Sequence, residues 1–190
     1  GGSCFQKDIL NLVYICKSLG LDVAADYWEQ VIIMNNHQRS RFAQQIVASL
    51  YGTVAGKKIG FLGWAFKKDT NDTRESAAIY IADKLIDEQA HIQVYDPKVT
   101  AIQMLSDLNG LNSRTESEND KFLEVHNNPY EALKGSHALA VITEWDEFKS
   151  YDWQRIYDGM LKPAFIFDGR NILDQTELEA IGFIYKAIGR

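Results

Sequence analysis

Residues 59–63, Ile59-Gly60-Phe61-Leu62-Gly63, form a short apolar run that ends on glycine. The next thirteen residues, Trp64-Ala65-Phe66-Lys67-Lys68-Asp69-Thr70-Asn71-Asp72-Thr73-Arg74-Glu75-Ser76, are mostly polar and lead into a helical pattern over 76–88. An apolar run of four to eight residues, a polar loop and an amphipathic helix make the first half of a β-α-β unit. The same alternation recurs downstream. Apolar runs at 91–95, 122–125, 138–143, 165–167 and 183–187 read as strands, with helical patterns at 101–108, 130–133 and 174–180 between most of them. Strands that alternate with helices build a parallel sheet covered on both faces. The fold class is therefore α/β, a Rossmann-like doubly wound parallel sheet of about six strands.

The N-terminal part is different. Ile9, Leu12, Val13, Cys16 and Leu19 recur at helical spacing and stop at Gly20, a suitable C-cap. A longer helix is expected from about Asp22 to Leu50, with Val23, Tyr27, Val31, Met34, Phe42, Ile46 and Leu50 on its apolar side. Its middle, 35–41, is polar almost all round. About 28 residues of helix span roughly 42 Å, which suits a bridge between domains or subunits as well as a plainly solvated stretch. The glycine-containing break at 53–58 places a boundary, giving a helical region over 1–52 and the sheet domain over 53–190. The polar segment 108–120, with its acidic end at Glu116-Ser117-Glu118-Asn119-Asp120, reads as a solvated loop.

Composition excludes several classes. The 190 residues carry 20 Lys and Arg against 26 Asp and Glu, a net charge of -6, so the surface does not suit nucleic acid. No apolar run is long enough to cross a membrane. Two cysteines twelve positions apart make no disulfide framework, which points to a reducing, cytoplasmic setting. The four histidines and two cysteines show no metal-ligand spacing, and no metal is expected.

Open parallel sheets bind ligands outside the carboxyl ends of their strands. Three such ends carry chemistry here. The loop after the first strand brings Phe66, Lys67 and Arg74 to a helix N-terminus, where free N–H groups and the helix dipole favour phosphate. The alternative is that Asp72, Thr73 and Ser76 cap the helix while the cations stay solvated. After the fifth strand comes Phe167-Asp168-Gly169-Arg170, so Arg170 shares an edge with Lys67; two cations there suit a diphosphate, with Phe66 or Trp145 against a base or sugar. Asp96 follows the second strand, either as a ribose-binding carboxylate or as a turn residue before Pro97. Gly60 and Gly63 do not make the Gly-x-Gly-x-x-Gly dinucleotide fingerprint.

The chain opens on Gly1-Gly2-Ser3-Cys4-Phe5-Gln6-Lys7-Asp8, which sets a thiol, an ammonium and a carboxylate within five positions. Cys4 could be a nucleophile helped by Lys7, with Asp8 orienting water, or these could be an ordinary helix start. With no initiator methionine, the chain is expected to be cut from a longer one or processed, unless Gly1-Gly2-Ser3 is a linker scar.

Taken in order, Gly1–Asp8, then Gly63–Ser76, then Phe167–Arg170 resemble the C-terminal half of the nucleotide-sugar dehydrogenases, across essentially all 190 residues. The Phe5-Gln6 and Phe66-Lys67 pairs resemble the UDP-glucose branch more than the GDP-mannose or UDP-N-acetylmannosamine branches. The resemblance implies NAD-dependent oxidation of UDP-glucose to UDP-glucuronate, using two NAD and one water, through a cysteine thiohemiacetal and thioester. It also implies Cys4 as nucleophile, Asp8 and Lys7 as its helpers, Phe66, Lys67 and Arg170 on UDP, and Arg74 on NAD. The long helix would support a homo-oligomer. The NAD-binding fold of that family is missing here, so the isolated chain is expected to be inactive, with Cys4 on a loosely held terminus.

Overall fold

The computed structural model describes residues 2–111 and 114–189. Two helices come first, α1 (Ser3–Ser18) and α2 (Asp22–Ser49), joined by a turn in which Gly20 takes φ +70°. Ile9, Val13 and Cys16 of α1 pack on Ala25 of α2 as a small separate cluster. Further along α2, Phe42, Ala43 and Ile46 enter the main core. The helix is thus apolar at both ends and polar in the middle because its ends rest on different bodies of protein.

The rest is one six-stranded, all-parallel sheet: β1 (Lys58–Leu62), β2 (His91–Tyr95), β3 (Leu123–Val125), β4 (Ala138–Val141), β5 (Phe165–Asp168) and β6 (Ile184–Ala187). Its order is β3-β2-β1-β4-β5-β6, so the direction of winding reverses between β1 and β4. All four residues of β4 and of β5 are buried, as expected for strands covered on both faces. The helices are α3 (Ala77–Asp87), α4 (Ala101–Leu111), α5 (Glu116–Phe122), α6 (Pro129–Leu133), α7 (Trp153–Gly159) and α8 (Gln175–Ile181). The Rossmann-like sheet read from the sequence is therefore present.

Two expectations are corrected. The acidic segment before β3 is not a loop throughout: α5 occupies 116–122, started by a capping box in which Thr115 and Glu118 each bond the other's backbone N–H. Its anchor is polar, with buried Asn119 donating to Asn109 at 2.6 Å and accepting from Arg114 at 3.0 Å. Nor is the Cys4 stretch loose. It is helical from Ser3, and its lead-in residue Gly2 lies against the ring of Phe66, where a Cβ would come within 2.7 Å. Gly1 lies outside the described residues.

No helix among the described residues is long and apolar enough to cross a membrane.

Candidate functional site

The reversal of strand order leaves a crevice above β1 and β4, and the loop leaving β1 borders it. That loop is built by the backbone. Gly63 takes φ +98°, and a Cβ there would sit 2.4 Å from Thr143, so only glycine lets the chain turn beside β4. The carboxylate of Asp96, at the end of β2, accepts from Trp64 N–H at 2.7 Å, Ala65 N–H at 3.0 Å and the Trp145 indole at 3.2 Å. Its other oxygen accepts from Lys98 and Val99 N–H. Asp96 is therefore a buried structural hub, not a ribose ligand. Trp145, buried and tied to it, belongs to the core and does not face a base.

Beyond Ala65 the loop closes on itself through Phe66 N–H to the Asp72 carbonyl at 3.0 Å, and Ser76 caps α3. This presents Phe66 half-buried and Lys67 exposed, with the Lys67 ammonium 5.4 Å from the centre of the Phe66 ring.

Arg170 arrives from the end of β5. A second buried carboxylate, Asp168, places it by accepting from Arg170, Ile172 and Leu173 N–H and from the Tyr185 hydroxyl. The guanidinium then donates to the Ile142 carbonyl at 2.5 Å and the Phe66 carbonyl at 3.0 Å, and pairs with Glu144 at 3.3 Å. Phe66, Lys67, Glu144 and Arg170 all line one cavity of about 370 Å³, whose far wall is Gln38, Arg39 and Phe42 of α2. Gly2 also lines it. A space of that size suits a small organic ligand, and its cations suit an anionic one.

Arg74 stands apart, with its side chain 73% exposed and forked onto Asp72 at 3.0 and 2.8 Å. That hydrogen bond pulls the Asp72 carboxyl below the usual carboxylate range. The Arg74 guanidinium is held above its ordinary value by its hydrogen bond to Asp72. Cys4, Lys7 and Asp8 are exposed on the first two turns of α1, with Cys4 and Asp8 four residues apart on one face. The structure thus brings Phe66, Lys67 and Arg170 together and leaves Cys4, Lys7, Asp8 and Arg74 outside the cavity lining.

Residues 60–175 match the UDP-glucose/GDP-mannose dehydrogenase family, UDP binding domain. The chain belongs to that family. It is 54% identical over 192 residues to the UDP-glucose 6-dehydrogenase of Mus musculus, covering 100% of this chain and 39% of that protein. With UDP-glucose 6-dehydrogenase 5 of Oryza sativa subsp. japonica it shares 52% over 199 residues, covering 100% and 42%. The chain therefore spans about two-fifths of the length of these curated relatives. Its fold is that of a UDP-glucose dehydrogenase from Pyrobaculum islandicum, with a TM-score of 0.69 at 24% identity over 98% of this chain and 37% of that one.

Residues that sequence reasoning missed are Glu144, Arg39 and Asp168. Glu144 was visible as the residue after β4, and nothing in its neighbours marked it as Arg170's partner.

Proposed function

We propose that this chain is the UDP-sugar-binding part of an NAD-dependent UDP-glucose 6-dehydrogenase. The observation that carries it is the convergence of Phe66, Lys67 and Arg170 on the cavity at the strand-order reversal. Lys67 and Arg170 supply positive charge to the nucleotide's diphosphate, and the Phe66 ring gives an apolar wall for base or sugar. The sheet domain, 53–190, holds the nucleotide, while the helical region, 1–52, carries the cysteine motif.

Cys4 is the proposed nucleophile. It sits in the first turn of α1, where unpaired N–H groups favour an anion, and Gly2, two residues before it, touches Phe66. That contact ties the thiol-bearing helix to the wall of the UDP cavity. Asp8, one turn further on the same face, is placed to orient water for hydrolysis of an acyl-cysteine, and Lys7 adds positive charge.

NAD does not fit the sheet's own dinucleotide position. Gly63 is closed against Thr143, and all of Asp96's acceptor capacity that the structure displays goes to protein N–H groups. Arg74, 73% exposed although forked onto Asp72, is the residue we assign to a dinucleotide held elsewhere.

Val23 at 86%, Tyr27 at 70% and Met34 at 58% exposure give α2 an apolar face suited to a second copy of the chain. Both described cysteines are free, which suits the cytoplasm.

The test is substrate choice by the full-length protein containing this chain. NADH formation with UDP-glucose, absent with GDP-mannose and abolished by Cys4→Ser, is expected. Turnover of GDP-mannose in preference, or full activity in Cys4→Ser, would overturn the reading.

A further inference from the structure

Arg39 is a cation in the wrong place for a solvent-facing helix: it projects from the polar middle of α2 and is 6% exposed. Burying a guanidinium is costly unless it is paired and hydrogen-bonded, so its partners show what holds it there. One Nη donates to the backbone carbonyl of Glu75 at 2.9 Å, and both Nη groups reach the Glu75 carboxylate at 3.4 Å. The guanidinium plane lies over Tyr80, 4.0 Å from the ring centre. The Tyr80 hydroxyl in turn donates to the same Glu75 carboxylate at 2.7 Å. Burial, and then that bond to Glu75, push the Tyr80 phenol above its ordinary value.

Glu75 itself is strained. It takes φ +61°, a left-handed conformation that a side chain with Cβ rarely adopts. It lies between Arg74 and the α3 cap Ser76, so its conformation decides how the loop carrying Lys67 and Arg74 enters the helix. Asn36, one turn before Arg39, accepts from Arg39 Nη1 at 3.3 Å and fixes the guanidinium from the other side.

We propose that Arg39 is a positioning residue for the UDP site: it holds Glu75 in its left-handed conformation and thereby sets the Phe66–Arg74 loop against Arg170. The proposal rests on the UDP-binding reading above for its consequence, though not for the geometry. It makes α2 part of the binding site's frame. Lysine cannot replace arginine in this role, because one ammonium cannot stack on Tyr80 while donating to a carbonyl and a carboxylate at fixed spacing.

The experiment compares the 190-residue chain with its Arg39→Met and Arg39→Lys variants by amide hydrogen exchange and by calorimetric titration with UDP. In both variants the Phe66 and Ser76 amides, whose bonds close the loop, should exchange about tenfold faster while those of β4 and β5 keep their rates, and UDP affinity should fall about tenfold. Unchanged loop exchange, an equal acceleration throughout the sheet, or full recovery by lysine would overturn the proposal. Should Arg39→Met not fold, Glu75→Gln is read instead, with about threefold faster loop exchange expected and no change overturning it. A wild-type chain that takes up no UDP, with loop exchange still quickened by Arg39→Met, would uphold the positioning role and remove the UDP reading.

Discussion

The Arg170 guanidinium bonds the carbonyl oxygen of Phe66 at 3.0 Å, joining residues 104 positions apart. One side chain thus closes the loop after β1 onto the end of β5 and leaves further N–H groups beside the cavity. Arg170→Ala should therefore do two separable things. A charge-assisted hydrogen bond contributes about 1.5–3 kcal/mol, so unfolding free energy should fall by an amount in that range in urea denaturation. UDP affinity should fall by at least about tenfold, and Arg170→Lys should recover less than half of either loss.

Gly2 and Phe66 give a prediction about the site without one about stability. Gly2 has φ −78°, a conformation open to any residue, so the constraint at this position is contact with the ring alone. Gly2→Ala puts a methyl within 2.7 Å of the Phe66 ring, which must swing aside. UDP affinity should drop several-fold, about 1 kcal/mol, with the thermal midpoint little changed. Calorimetry and thermal denaturation on the same sample read the two effects.

Asp96 should matter more to folding than any residue lining the cavity. Asp96→Ala leaves the backbone N–H groups of Trp64, Ala65, Lys98 and Val99 and the Trp145 indole without their acceptor. At about 1–3 kcal/mol for each buried donor left unpaired, a loss of at least about 3 kcal/mol is expected by chemical denaturation. Asp96→Asn keeps the shape but turns an acceptor into a donor, and should cost nearly as much.

His137 carries the pH dependence closest to neutrality. Burial, and then the nearby Lys57 charge, hold its imidazole below the ordinary value of 6.5, with Nδ1 at 3.2 Å from the Lys58 N–H. A depressed histidine binds its proton more tightly when unfolded, so stability is complete above pH 6.5 and declines as pH falls from there towards the folded-state value. NMR titration should place His137 below 6.5, and His137→Gln should flatten the stability profile in that window.

The sheet was legible because buried parallel strands are short apolar runs, and the runs at 91–95 and 138–143 sit where β2 and β4 lie. The short helices were harder. α5 has no apolar stripe, and its support is the capping box at Thr115 and Glu118 together with buried Asn119; the Thr-x-x-Glu spacing was the available signal. At the site, Phe66, Lys67 and Arg170 could be read from their places after strands. Arg39 could not, because its meaning depends on Glu75, 36 residues away, and Tyr80. Asp96 was visible, but a carboxylate that ends a strand looks alike whether it faces a ribose or five N–H groups. Tertiary closure decides between them, and local sequence does not encode it.

The central claim is that the cavity lined by Phe66, Lys67 and Arg170 binds UDP, and calorimetric titration of the folded chain tests it most directly. Saturable heat at or below about millimolar UDP, lost in a Lys67→Ala, Arg170→Ala double variant, is the predicted result. Absence of heat with protein shown to be folded by circular dichroism, or binding that survives loss of both cations, would contradict it.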